Sequence, residues 1–108
     1  MIDQLRVYKI FEKTKAAFHE RFRDHAMALF ARYGGEVIVA WEAAGEDGPE
    51  FIYLLRWPDQ ETLEKGWAGI KTDAGWQKVK ADYTAKYGEL VAKIDERTLV
   101  PTEYSPQF

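Results

Sequence analysis

At 108 residues the chain has the length of one domain, residues 1–108, and can bury roughly two-thirds of its unfolded surface without a covalent staple. It has no cysteine, which excludes disulfides, thiolate nucleophiles and Cys-based zinc or iron–sulfur sites. A net charge of −3 with no basic block speaks against a nucleic-acid partner, and no stretch approaches the roughly 20 apolar residues that span a bilayer. The opening Met1-Ile-Asp-Gln-Leu-Arg6 lacks the form of a signal peptide, so the expectation is a soluble, cytoplasmic protein.

Residues 2–10 alternate, Leu5 and Val7 to one side and Gln4, Arg6 and Tyr8 to the other, which predicts a first strand. Thr14 is placed to cap a helix that runs to Tyr33 and stops at Gly34-Gly35. Phe18, Phe22, Ala26, Leu29, Phe30 and Tyr33 form its apolar stripe, with Lys15, Glu20, Arg21, Arg23 and Asp24 on the opposite face. His25 lies at the border of the stripe, where a histidine more often packs as a boundary residue than touches a ligand. His19 falls on the polar side.

Residues 36–44 are β-branched and aromatic-rich and predict a second strand. Gly45-Glu-Asp-Gly-Pro49 reads as a hairpin loop, and Phe51–Trp57, apolar on both faces, as a central third strand ended by Pro58. Asp59 caps a short helix bearing Leu63, Trp67 and Ile70, in which Gly66 and Gly69 each cost about 1 kcal/mol relative to Ala. A second helical piece starts at Thr72 or Asp73, carries Trp76, Val79, Tyr83 and Tyr87, and closes at Gly88. Residues 90–100 predict the fourth strand. The Pro-containing tail carries Tyr104 and Phe108, apolar groups expected to lie against the body or a partner.

The order β-α-β-β-α-β is most simply solved by an α+β, ferredoxin-like antiparallel sheet of order 4-1-3-2 with both helical layers on one face. Leu5 and Val7 are then expected beneath the helices, and Ile52, Leu54 and Val91 on the open face. An open apolar face costs about 25 cal/mol per Å² and marks an interface. A homodimer joined through that face removes it and encloses a barrel-like space between two sheets.

Several segments carry a resemblance: Gln4-Leu-Arg-Val-Tyr8, Phe18-His-Glu-Arg-Phe22 with His25, Trp41-Glu42, Tyr53-Leu-Leu-Arg-Trp57, Asp73-Ala-Gly-Trp76 and Thr98-Leu-Val-Pro-Thr-Glu-Tyr-Ser105. In order and spacing they resemble the NIPSNAP family of the dimeric α/β-barrel superfamily. The resemblance covers nearly the whole chain and implies a homodimeric barrel of unassigned activity. It also implies likeness in fold to small monooxygenases and haem-degrading enzymes. Haem degradation in that superfamily relies on a site asparagine, and this chain has none.

The 4-1-3-2 order places Arg6, Arg56 and Arg97 on three adjacent strands at one end of the sheet. If they share a face they converge, with Glu42 and Asp95 as counter-charges. One reading is an ion network that fixes the dimer's register. The other is a site for a small anionic ligand held by Arg6, Tyr8, Glu42, Arg56 and Arg97, with Ile52 and Leu54 as apolar wall. No metal-ligand spacing, nucleophile elbow or phosphate loop occurs, and no cofactor is called for. A cofactor-independent monooxygenase, lined by aromatics such as Trp41 and Trp57, is the alternative.

Overall fold

The computed structural model describes residues 1–106; Phe108 lies outside them. Strands β1 (Ile2–Ile10), β2 (Glu36–Gly45), β3 (Gly48–Trp57) and β4 (Val91–Leu99) form one antiparallel sheet of order β2-β3-β1-β4. This is the expected 4-1-3-2 order. The β2–β3 connection is tighter than the expected five-residue loop: only Glu46 and Asp47 lie outside the ladder, and Gly48 supplies the positive φ of +126°.

The first helical run is continuous but not uniform. A 3₁₀ turn (Glu12–Thr14) leads into α1 (Lys15–Arg21), a π turn (Phe22–Ala26) and α2 (Met27–Arg32). The spacing of the core residues explains the π turn. Phe18, Phe22 and Ala26 recur every fourth position, whereas two α turns take about 7.2 residues. A wide turn absorbs the excess and keeps all three buried, together with Leu29 and Phe30.

Thr14 does not cap this run through its side chain. Its buried hydroxyl donates instead to the Glu89 carbonyl, 3.1 Å away, tying the helix start to the entry of β4. Asp59 does cap α3 (Gln60–Thr72), accepting from the Thr62 N–H at 2.8 Å. Asp73 caps α4 (Ala74–Tyr87) by accepting from the Trp76 N–H at 2.8 Å, while its second oxygen accepts from the Tyr33 hydroxyl at 2.6 Å and from Arg32 at 2.9 Å. Gly88, at φ +88°, closes α4.

The helices cover one face of the sheet, but the residues of β1 beneath them are the reverse of those expected. Gln4, Arg6, Tyr8 and Ile10 are buried there, and Leu5 and Val7 lie on the open face. The partners on β3 decide it. Tyr53 and Trp57 reach into the helical side with polar tips that need hydrogen-bond partners, and Gln4, Arg6 and Tyr8 supply them. Val91 is also reversed. A register shift between Lys9 and Ile10 turns it toward the helices, where it packs on the core.

The open face carries Leu5, Val7, Ile52 and Leu54, joined by Val39 and Trp41 after a bulge in β2 between Val37 and Val39. The tail turns toward this face. Residues 100–103 and 105–106 line a cavity of about 530 Å³ with Trp41, Leu54 and Arg56. Tyr104 itself is 87% exposed, so of the two expected placements, against the body or against a partner, the single chain does not adopt the first.

Gly66 and Gly69 are demanded by packing and are not merely weak helix formers. A Cβ at Gly66 would sit 2.4 Å from the Trp57 ring, and one at Gly69 would sit 2.3 Å from the Tyr33 ring. Gly66→Ala is therefore expected to lose roughly 1–3 kcal/mol of stability by overpacking, against the gain of about 1 kcal/mol that helix propensity alone would give. A rise in the urea midpoint would contradict this account of α3 on Trp57.

Candidate functional site

The helix-covered face of β1 carries a row of polar side chains, and a cleft opens beside it. Gln4 is the anchor of the row. Its Oε1 accepts from the indole N–H groups of Trp57 at 2.8 Å and Trp67 at 2.7 Å, and its amide donates to Glu96 at 3.0 Å. Two strand spacings on, the Arg6 guanidinium uses its whole fork. Nη1 donates to Glu96, Nε to the Tyr53 hydroxyl at 2.7 Å, and Nη2 to the Tyr8 hydroxyl at 3.1 Å. Its flat face lies 4.2 Å from the centre of the Trp67 ring, and the Tyr8 and Tyr53 hydroxyls are 2.9 Å apart.

Burial acts to lower the Arg6 pKa. Tyr8, Tyr53 and Glu96 outweigh it and hold the group above its ordinary value, so the charge persists. Burial, then the neighbouring Tyr8, pushes the Tyr53 phenol well above the ordinary range and keeps it neutral.

The cleft has a volume of about 450 Å³, within the range of small-molecule sites. Tyr8, Arg6 and Trp67 form one side, Leu29, Phe30 and Ile70 the apolar depth, and Trp76, Lys80 and Thr84 of α4 the outer wall. Val91 and Ile94 complete it from β4. Its charged lining is unbalanced. Arg6 is matched by Glu96, but Arg21, Lys71 and Lys80 have no carboxylate partner among the described residues, and Glu89 is the one acidic group in the lining. Arg21 rests over the rings of Phe18 and Trp76. Burial lowers its pKa below the ordinary guanidinium value, an effect partly countered by Tyr8 and Tyr83.

The expected convergence of three arginines does not occur. Arg6 faces the helices, whereas Arg56 and Arg97 lie across the sheet on the open face, because β1 is turned over relative to the expectation. Arg56 makes a two-pronged pair with Asp3, at 2.8 and 2.9 Å. Arg97 stands opposite Leu5 and is exposed. Glu42 is held at the surface of the first helical run by Lys15 at 3.1 Å and His19 at 2.8 Å. The acids that meet the arginines are thus Glu96 and Asp3, not Glu42 and Asp95. Ile52 and Leu54 wall the open face instead of the cleft. Trp57 is core, with no exposed surface, and Trp41 is 45% exposed on the open face.

Of the expected site only Arg6 and Tyr8 meet. Gln4, Arg21, Tyr53, Trp67, Trp76, Lys80 and Glu96 were not anticipated. The legible signal was the run Gln4-x-Arg6-x-Tyr8, three polar groups on one strand face, each with hydrogen-bonding capacity to match a buried aromatic tip. His25 packs edge-on against Tyr83 with centroids 5.8 Å apart, as a boundary residue does. Among the described residues no three His, Asp or Glu side chains form a metal-ligand set, and no helix is long and apolar enough to cross a membrane.

A family model described as NIPSNAP matches residues 3–106. The chain belongs to the NIPSNAP family. No curated protein matches it. Its fold is similar to that of an uncharacterized NIPSNAP domain protein from Burkholderia xenovorans, with a TM-score of 0.80 at 15% identity over 99% of this chain and 100% of that one. It is similar also to a NIPSNAP family protein from Agrobacterium tumefaciens, at 0.74 and 20% identity over 97% and 96% of the two chains. Further off is SnoaB, a cofactor-independent oxygenase from Streptomyces nogalater, at 0.57 and 16% identity over 98% and 97%. At such identities these likenesses speak for the α+β, ferredoxin-like fold alone.

The NIPSNAP chain's polar row has a measurable consequence. Glu96→Ala leaves the Arg6 charge buried without its carboxylate. Because Glu96 is itself 42% exposed, the expected loss is about 1–3 kcal/mol, below that of a fully enclosed pair. Urea unfolding would measure it, and an unchanged midpoint would mean that Glu96 does not hold Arg6.

Proposed function

We propose that this NIPSNAP protein binds a small amphipathic anion in the cleft between its sheet and its helices. The observation that carries the reading is an apolar cleft bordered by three cations, Arg21, Lys71 and Lys80, that have no acidic partner among the described residues. A ligand with a hydrophobic body and one negative group would bury its body against Leu29, Phe30, Ile70 and Trp76 and supply the missing charge. Arg6 contributes as the paired, rigid floor of the cleft.

Naphthoate added to the protein is expected to raise the melting temperature in a concentration-dependent way. The double substitution Lys71→Glu, Lys80→Glu is expected to weaken its binding roughly 10-fold in a titration calorimeter. Equal affinity in the two proteins would remove the cations from the site.

A second reading, a cofactor-independent oxygenase acting on a small hydrophobic molecule, is supported by the tryptophan-rich lining contributed by Trp67 and Trp76. Oxygen uptake with a bound quinol or phenol separates the two. Binding without uptake leaves the first reading standing.

The open face supports a homodimer. Leu5, Val7, Val39 and Ile52 are only half-buried in a single chain, and Trp41 is exposed beside them. A second copy seated face to face would cover them, and the neutralised Asp3–Arg56 pair adds no net charge to the contact. Light scattering at micromolar concentration is expected to give twice the monomer mass, and Trp41→Glu is expected to halve it while leaving the circular dichroism spectrum unchanged. A wild-type monomer would end this proposal without touching the cleft.

A further inference from the structure

The protons of the two buried phenols can be counted. A tyrosine oxygen accepts two hydrogen bonds and donates one. The Tyr53 hydroxyl accepts from Arg6 Nε at 2.7 Å, and the same N–H reaches the Tyr8 oxygen more weakly at 3.4 Å. The Tyr8 hydroxyl accepts from Arg6 Nη2 at 3.1 Å, and the two oxygens are 2.9 Å apart, so one phenol donates to the other. If Tyr8 were the donor, the Tyr53 oxygen would accept twice and its own proton would be left without an acceptor. Tyr53 has no exposed surface and does not border the cleft, so that proton would be stranded in the core. If Tyr53 is the donor, its hydroxyl is fully used. The Tyr8 oxygen then accepts from Arg6 and from Tyr53, and the Tyr8 proton is the one left over. Tyr8, unlike Tyr53, lines the cleft.

The second arrangement strands nothing in the core, and it leaves the spare proton on the phenol of the residue that borders the cleft. Arg21 borders the same cleft without a carboxylate partner among the described residues. The Phe18 ring links the two. Its centroid is 5.8 Å from that of Tyr8, and the Arg21 guanidinium lies 5.8 Å from it.

We infer that the Tyr8 hydroxyl and the Arg21 guanidinium together form the head-group site of the cleft, which receives an oxyanion borne on an apolar body. This rests on the ligand-binding reading above and adds to it a location and a chemical class. Tyr8 donates to the oxyanion, Arg21 supplies the counter-charge, and Arg6 donates to the Tyr8 oxygen, so that the Tyr8 proton is the one offered to the ligand. Lys71 and Lys80 act on the ligand through their charge at the outer wall, not through the head group. A site built on a donor and a cation distinguishes an oxyanion from a neutral molecule of the same shape.

The test compares naphthoate with naphthamide, which has the same rings and a carbonyl acceptor but no charge, by calorimetry on four proteins. The wild type is expected to bind naphthoate at least 10-fold more tightly than naphthamide. Tyr8→Phe is expected to weaken naphthoate by roughly 10- to 100-fold, the loss of one charge-assisted hydrogen bond. Arg21→Gln is expected to weaken naphthoate strongly and naphthamide little, so that the preference collapses.

Tyr53→Phe is the control for structure. It breaks a comparable part of the Arg6 network but leaves the Tyr8 proton in the cleft, so its naphthoate affinity is expected to stay within about 3-fold of wild type. Circular dichroism melts select a temperature at which all four proteins are folded. If wild type binds neither compound, the ligand-binding reading itself fails. If it binds naphthoate and Tyr8→Phe and Tyr53→Phe lose the same affinity, the cleft stands but the head-group assignment is overturned. The assignment falls too if Tyr8→Phe binds naphthoate as tightly as wild type.

Discussion

A charged guanidinium beneath the helices is the constraint round which the rest of the domain is arranged. Sheets normally present aliphatic groups to the helices that cover them, and a cation placed there is costly unless its hydrogen bonds are complete. Arg6 is only 7% exposed, and its partners come from every part of the fold that can reach it: Tyr8 on its own strand, Tyr53 on β3, Glu96 on β4 and the Trp67 ring on α3. Gln4 extends the same network, with Trp57, Trp67 and Glu96 as its partners, so a slip of one residue in β1 would strand the polar tips of Tyr53, Trp57 and Trp67 at once. The buried polar row therefore fixes the register of the central strand more tightly than a row of leucines would.

The order of the elements, the sheet topology and most helix ends were legible because they rest on local signals. Asp59 and Asp73 precede their helices, Gly34 and Gly88 follow theirs, and the alternation in β1 is plain. Which side of β1 faces the helices was not legible. Period-2 alternation defines two faces but does not label them, and the usual labelling puts Leu5 and Val7 inward. The deciding information lies some fifty residues on, in the polar tips of Tyr53 and Trp57, and β3 hides it by being apolar on both faces. Once β1 is turned over, Arg6 parts from Arg56 and Arg97, and the expected site dissolves into two chemically different surfaces.

Departures from ideal geometry account for most of what remained. The β2 bulge between Val37 and Val39 moves Val37 into the core and Val39 onto the open face, although the two are an even number of residues apart. The shift between Lys9 and Ile10 does the same for Val91. In the first helical run the π turn keeps Phe18, Phe22 and Ala26 in one line, and Arg21, at its edge, comes to rest over Trp76 instead of in solvent among Lys15, Glu20 and Arg23. No single residue announces any of these, because each is a compromise between strands or turns set by packing elsewhere.

The two faces of the sheet each pair one arginine with a carboxylate, Arg6 with Glu96 and Arg56 with Asp3. On the open face Arg56 is matched by Asp3 in a two-pronged pair, while Arg97 stands exposed with no carboxylate partner among the described residues. On the helical face the one deeply buried cation is also matched, but the cations at the margin of the cleft are not. Structural charge is neutralised where the chain closes on itself, as Arg6–Glu96 and Arg56–Asp3 both are. Arg21 is unmatched by a carboxylate beside an apolar hollow, and the faces of Phe18 and Trp76 offset part of the cost of half-burying it. The placement of Arg21 thus has a physical reason in the two rings it covers, while its charge stays uncompensated at the margin of the cleft.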